Sequence, residues 1–123
     1  LYGHETELIQ VIINILNNSR DILNIKDIDK KYIFIKTSKS DSEVKIEILD
    51  NGGGIKKKSL DKIFEPYFTT KHNKQGTGLG LYMCHQIITK YMNGSIEVNN
   101  SKYEYKGEKY KGAKLTITLY EDN

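Results

Sequence analysis

A chain of 123 residues, 37% hydrophobic and 28% charged, is one domain's worth of globular sequence, and ten Gly with one Pro exclude a collagen-like or low-complexity chain. A net charge of +3, from 18 Lys and one Arg against 16 acids, argues against a dedicated nucleic-acid binder, which carries a stronger and clustered basic excess. The single cysteine, Cys84, excludes an internal disulfide framework and a Cys-rich zinc site, and no apolar run approaches the ~20 residues of a membrane span. With no signal-peptide pattern either, the expected place is the cytoplasm, without membrane contact by this segment. The chain begins at Leu1 rather than Met, so a piece of a longer protein is expected.

Glu5 to Asn24 reads as one long helix. At 100° per residue, Glu7, Gln10, Asn14, Asn17, Asn18 and Asp21 share an arc of roughly 100°. Most of the remaining circumference is apolar, so the helix is expected to be mostly buried. The polar stripe contains no Lys in a Lys-rich chain; it offers amide and carboxylate oxygens, the ligands that hard cations such as magnesium prefer. A surface face in an Asn-rich chain fits the same residues, and the helix alone leaves both options open.

Tyr32–Ser38 and Glu43–Leu49 are strand-like. The second alternates Val44, Ile46 and Ile48 against Glu43, Lys45 and Glu47, the period of a half-buried strand, and Lys39–Ser42 between them fits a hairpin turn. Asp50-Asn51-Gly52-Gly53-Gly54 then ends the strand abruptly. Residues 56–77 are polar and irregular, with a short helix expected at Ser59–Ile63 and Ser59 placed to cap it. A loop of that length inside a compact domain is usually functional or mobile.

Helical spacing returns from Gly80 to Tyr91, with Gly94 as the expected stop. Ser95–Val98 and Ala113–Tyr120 read as strands, and Lys102–Lys111, alternating Lys or Glu with Tyr around Gly107, as an exposed hairpin. The order helix, strands, loop, helix, strands predicts an α+β two-layer sandwich in a single domain spanning residues 1–123.

Two Gly-rich elements flank the long loop. Gly76-Thr77-Gly78-Leu79-Gly80-Leu81 runs straight into a helix, where glycines permit close backbone approach and the helix start offers N–H groups to a phosphate. It is neither a P-loop, since no Lys-Ser/Thr follows, nor a Rossmann fingerprint, since no strand precedes it. Asp50, at the end of an apolar strand, can accept a hydrogen bond from an exocyclic amine, or serve simply as a turn residue before Gly. The loop holds Phe64-Glu65-Pro66-Tyr67-Phe68 and Lys71, aromatics that can fold over an apolar surface and a cation that can meet a terminal phosphate.

The combination says more than its parts. Asn14, Asn17, Asn18 and Asp21 on a helix, Asp50-Asn51-Gly52-Gly53-Gly54-Ile55 after a strand, the Phe64-Glu65-Pro66-Tyr67-Phe68-Thr69-Thr70-Lys71 loop, and the glycines opening a helix occur in one order. Together they resemble the catalytic ATP-binding domain of sensor histidine kinases, a branch of the superfamily that includes gyrase B, the mismatch-repair ATPase and the heat-shock chaperone ATPase. The resemblance runs from about Glu5 to Tyr120, and Gly112-Ala113-Lys114-Leu115 looks like the Gly-containing final strand.

The resemblance implies a Bergerat-type sandwich, a mixed sheet packed against helices with a mobile ATP lid, and ATP and Mg2+ as cofactors. Asn18 matches the magnesium-binding asparagine, with Asn14 the companion polar position one turn earlier and Asn17 beside them. Asp50 matches the carboxylate that recognises the adenine amino group. Gly52, Gly54 and Ile55 border the adenine pocket. Gly76, Thr77, Gly78, Leu79, Gly80 and Leu81 form the lid hinge and the start of the phosphate-side helix, and Phe64 and Phe68 are the lid aromatics. Lys71 falls where it can touch the γ-phosphate, so Asn14, Asn18 and Lys71 form the implied catalytic set.

Departures from the pattern narrow the implied activity. ATPase relatives carry a water-activating glutamate where Asn14 stands, and an amide is no general base at neutral pH. Phosphoryl transfer to a protein is therefore implied over ATP hydrolysis. An anti-sigma-type serine kinase, which tends to keep that glutamate, and a non-catalytic docking module are the alternatives. The Asn17-Asn18-Ser19-Arg20-Asp21 run is similar to the variant in nitrogen-sensor-type kinases, which have short lids. His4, His72 and His85 lack acceptor-like context, so the phosphoacceptor is expected on a separate histidine-bearing dimerisation domain upstream, and the next acceptor on a response-regulator receiver domain.

Overall fold

The computed structural model describes residues 5–26, 28–66 and 80–120. Helix α1 spans Glu5–Ile25, β1 Ile33–Lys39, β2 Glu43–Asp50, a short α2 Lys57–Leu60, α3 Gly80–Gln86, β3 Ser95–Tyr105 and β4 Glu108–Tyr120. After Gln86 the helix widens into a π turn over Ile87–Tyr91, where Met92 N–H donates to the Ile87 carbonyl at 3.1 Å.

The four strands form one sheet in the order β1-β2-β4-β3. Every pairing is antiparallel, which corrects the expected mixed sheet. The reason is topological. Strands β2 and β3 run in the same direction, as a helical crossover requires, but β4 returns from its hairpin with β3 and inserts between them.

Alternation along the strands assigns the faces. Ile46 and Ile48 of β2, Leu115, Ile117 and Leu119 of β4 and Ile96 of β3 are buried on one face. Val11 and Ile15 of α1 and Cys84 and Ile88 of the second helical segment close over them, giving the predicted two-layer α+β sandwich. Each fully buried Ile or Leu contributes about 1.5–3 kcal/mol, so this single cluster is the main source of stability.

Several local expectations change. Helix α1 is less buried than its composition predicts, because Ile9 and Ile13 are exposed. Ser59 is not a cap; it lies inside α2, whose first residue follows Lys56 with no side-chain cap. The helical segment before β3 ends at Tyr91; two residues on, Asn93 takes the left-handed conformation (φ 54°), and Gly94 donates to the Ile88 carbonyl at 2.8 Å. Gly94 is required for a different reason: a Cβ there would collide with the Thr118 carbonyl of β4.

The tyrosine-rich hairpin is a continuation of β3 and β4 rather than a separate exposed arm. Tyr105 pairs with Glu108 across a two-residue turn, Lys106-Gly107, with positive φ at both positions, the hand that matches strand twist. On the sheet face away from the helices, Tyr103, Tyr105 and Tyr110 pack edge-on against Tyr32 and Phe34, with centroids 4.8–5.5 Å apart. Lys30 bridges to Glu108 at 3.1 Å, and the Tyr110 hydroxyl donates to the other Glu108 oxygen at 2.9 Å.

Candidate functional site

The inner strand β2 ends on Asp50, and the chain turns at once through Asn51-Gly52-Gly53-Gly54. Asp50 is 4% exposed. Its Oδ1 accepts from the backbone N–H of Gly52 at 2.9 Å and of Ala113 at 3.2 Å. The fold thus fixes the carboxylate through one oxygen. Burial pushes the carboxyl upward from its ordinary value; the two N–H groups and the Lys26 ammonium oppose that shift.

Side-chain amides hold the rest of the turn. Asn51 accepts from Tyr32 N–H at 2.9 Å and donates to the Lys30 carbonyl at 2.6 Å, tying the turn to the start of β1. Asn100 of β3 accepts from Ile55 N–H and donates to the Ile55 carbonyl, both at 2.7 Å. Gly53 (φ 88°) and Gly54 (φ 92°) occupy backbone conformations that L side chains rarely adopt. A Cβ on Gly54 would also meet the Asn100 carbonyl oxygen at 2.7 Å. Across the turn, Gly53 N–H donates to the Lys111 carbonyl at 2.9 Å.

The predicted polar stripe of α1 divides in two. Asn14 and Asn18 are half-buried at the margin of the packed face, whereas Asn17 is exposed. Within a turn of Asn14, the Val11 carbonyl of α1 accepts from Cys84 Sγ of α3 at 3.7 Å. Arg20 and Asp21 pair with each other at 3.3 Å on the surface.

Of the remaining candidates, Ile55 is half-buried and clamped by Asn100, and Gly52 is buried beneath the Asp50 carboxylate. Phe64 is half-buried against the core, its ring 5.3 Å from that of His85. Gly80 is the first described residue of α3, in open space, and Leu81 packs toward the core. Phe68, Lys71, Gly76, Thr77, Gly78 and Leu79 lie outside the described residues, as do His4 and His72.

The donor set suits a particular kind of cation. Among the described residues no three His, Cys, Asp or Glu side chains come together. Amide oxygens on one helix face fit a magnesium ion that keeps waters and takes further ligands from substrate phosphates. Sequence reasoning missed Asn51, Asn100 and Tyr103 as parts of this region. Only Asn51 had a signal, its place inside the glycine turn.

The chain belongs to the family of histidine kinase-, DNA gyrase B- and HSP90-like ATPases, whose model matches residues 3–123. It is 38% identical over 112 residues to the sensor histidine kinase ZraS of Escherichia coli K12, covering 91% of this chain and 21% of that protein. It is 34% identical over 122 residues to sporulation kinase B of Bacillus subtilis 168, covering 99% of this chain and 26% of that one. Among solved structures, the catalytic domain of histidine kinase ThkA superposes with a TM-score of 0.73 at 26% identity, covering 94% of this chain and 67% of that one. The mycobacterial sensor histidine kinase MprB gives 0.78 at 21% identity, over 98% of this chain and 76% of that one, a likeness of fold. The chain thus spans about a quarter or less of the length of the curated relatives it matches. No helix among the described residues is long and apolar enough to cross a membrane.

Proposed function

We propose that this chain is the catalytic ATP-binding domain of a two-component sensor histidine kinase, and that it binds Mg-ATP and donates the γ-phosphoryl group to a histidine on a separate dimerisation domain. The observation that carries the proposal is Asp50. A buried carboxylate with one oxygen held by two backbone N–H groups is rigid, desolvated and directional, the properties needed to read an adenine amino group.

Around it, Gly52, Gly54 and Ile55 would border the base. Asn18, with Asn14 beside it and Asn17 at the outer edge, would hold magnesium, which neutralises phosphate charge when bound. The segment Gly76–Leu81 with Phe64, Phe68 and Lys71 would supply the lid, the phosphate-side helix start and a cation for the γ-phosphate. Catalysis in such a domain rests on positioning and charge rather than on a base. Asn14 fits that scheme, because a side-chain amide is no general base at neutral pH and activates no water. This disfavours ATP hydrolysis and the anti-sigma-type serine kinase. The phosphoryl group would then pass to a receiver-domain aspartate of a response regulator, in the cytoplasm.

Titration calorimetry with a non-hydrolysable ATP analogue, with and without magnesium and against the GTP analogue, tests the proposal. Magnesium-dependent binding selective for adenine is expected. Equal binding of both analogues, or none, overturns it.

A further inference from the structure

The turn after β2 is gripped at both of its ends by one strand, and that strand belongs to the other half of the chain. At the Ile55 end, the Asn100 amide makes two 2.7 Å bonds to the main chain of one residue, accepting from its N–H and donating to its carbonyl. At the Asp50 end, the Tyr103 hydroxyl donates to the Asp50 carbonyl at 2.8 Å. Asn100 and Tyr103 are three residues apart on β3 and therefore project to opposite faces. Asn100 reaches the turn from the helix side, and Tyr103 from the side of the aromatic cluster.

Each grip is itself braced. The Tyr103 ring stands edge-on to Phe34 at 5.4 Å and close to Tyr110 at 5.9 Å. Ala113, which donates to the Asp50 carboxylate, pairs in the sheet with Asn100. Main chain and carboxylate of Asp50 are thus referenced to the same hairpin.

We infer that Asn100 and Tyr103 are positioning residues that set the adenine selectivity of Asp50 by fixing the two ends of the 50–55 turn. The inference rests on the nucleotide assignment made above and goes beyond it. Neither residue touches the base; both decide where the carboxylate and the glycine backbone stand when the base arrives. Discrimination between adenine and guanine depends on that placement, since an amino donor and a carbonyl acceptor occupy the same position on the two rings.

The test uses Tyr103→Phe, which keeps the ring and removes only the hydroxyl, and Asn100→Ala, with Asn100→Gln as a longer amide that can rescue in part. Three quantities are measured on the whole chain: affinity for the two non-hydrolysable analogues, thermal midpoint, and amide hydrogen exchange at Gly52 and Ile55. The loss of one such bond should lower ATP-analogue affinity about three- to tenfold. The ratio of ATP- to GTP-analogue affinity should fall with it, and exchange at Gly52 or Ile55 should speed up before any change in the core strands. A lower thermal midpoint with an unchanged affinity ratio overturns the inference while leaving the nucleotide assignment standing. A wild-type chain without adenine preference overturns both. Unchanged exchange at both amides overturns the grip itself.

Discussion

The thiol of Cys84 on α3 donates to the Val11 carbonyl of α1 at 3.7 Å. The bond links the helix that carries Asn18 to the helix that follows the second glycine segment. It places a polar contact inside an apolar interface, where Cys84 and Val11 are both fully buried. Sliding either helix would strand the buried thiol, so the contact favours one register of the two.

Cys84 should be chemically silent in the folded chain. Burial pushes its thiol up to about 11, so almost no thiolate exists at neutral pH. Alkylation by iodoacetamide at pH 8 should run roughly a hundredfold slower than for a free thiol and accelerate only through the unfolding transition. Rapid labelling of native protein would show that the α1–α3 interface opens.

Asn18→Ala should weaken nucleotide binding about tenfold when magnesium is present and little when it is chelated. Calorimetric titrations in the two buffers read this directly. Equal losses in both would remove Asn18 from the metal and leave it a surface polar residue.

Asp50→Asn should lower affinity for the ATP analogue about ten- to a hundredfold, the scale of a hydrogen bond to a charged group, and relax adenine preference in a competition assay. Its effect on the free protein depends on pH. The folded chain raises the Asp50 pKa through burial, so the charged carboxylate destabilises the fold above that raised value. As pH falls through it toward the ordinary 3.8, the penalty disappears. The melting temperature of Asp50→Asn should therefore rise relative to wild type from pH 4 to pH 7, and a constant difference would contradict the burial penalty.

Gly112→Ala should cost about 3 kcal/mol, at the upper end for overpacking. A Cβ at that position would run into the Asp50 carbonyl and crowd its carboxylate, so β2 and β4 could not keep their approach. Urea denaturation gives the stability loss. The same variant should bind nucleotide poorly even at temperatures where it remains folded.

The parts of this structure that the sequence announced are those in which neighbours along the chain act together. The alternation of β2, the spacing of α1 and the break at Asp50-Asn51-Gly52 all express a local period or a local backbone need. The parts it concealed are long-range. Asn100 lies 45 positions from Ile55 and Tyr103 lies 53 from Asp50, and neither residue type marks its partner. The hairpin tyrosines looked solvated because their other half, Tyr32 and Phe34, lies at the start of β1, far from them along the chain. Likewise the Ile9 and Ile13 side chains carry no sign of exposure; only the placement of α1 on the sheet leaves them outside.

Strand β4 is the last of the described strands in the chain, yet it is an inner strand of the sheet, bonded to β2 on one side and β3 on the other. During synthesis, β1 and β2 emerge first and can form a hairpin, but the open edge of β2 has no neighbour until residues 108–120 leave the ribosome. Until then Asp50 lacks the Ala113 donor, and β3 has no strand to pair with. The domain should accordingly close its sheet in one late step, and any nascent chain stopped before Gly112 would present an unpaired apolar edge to other molecules.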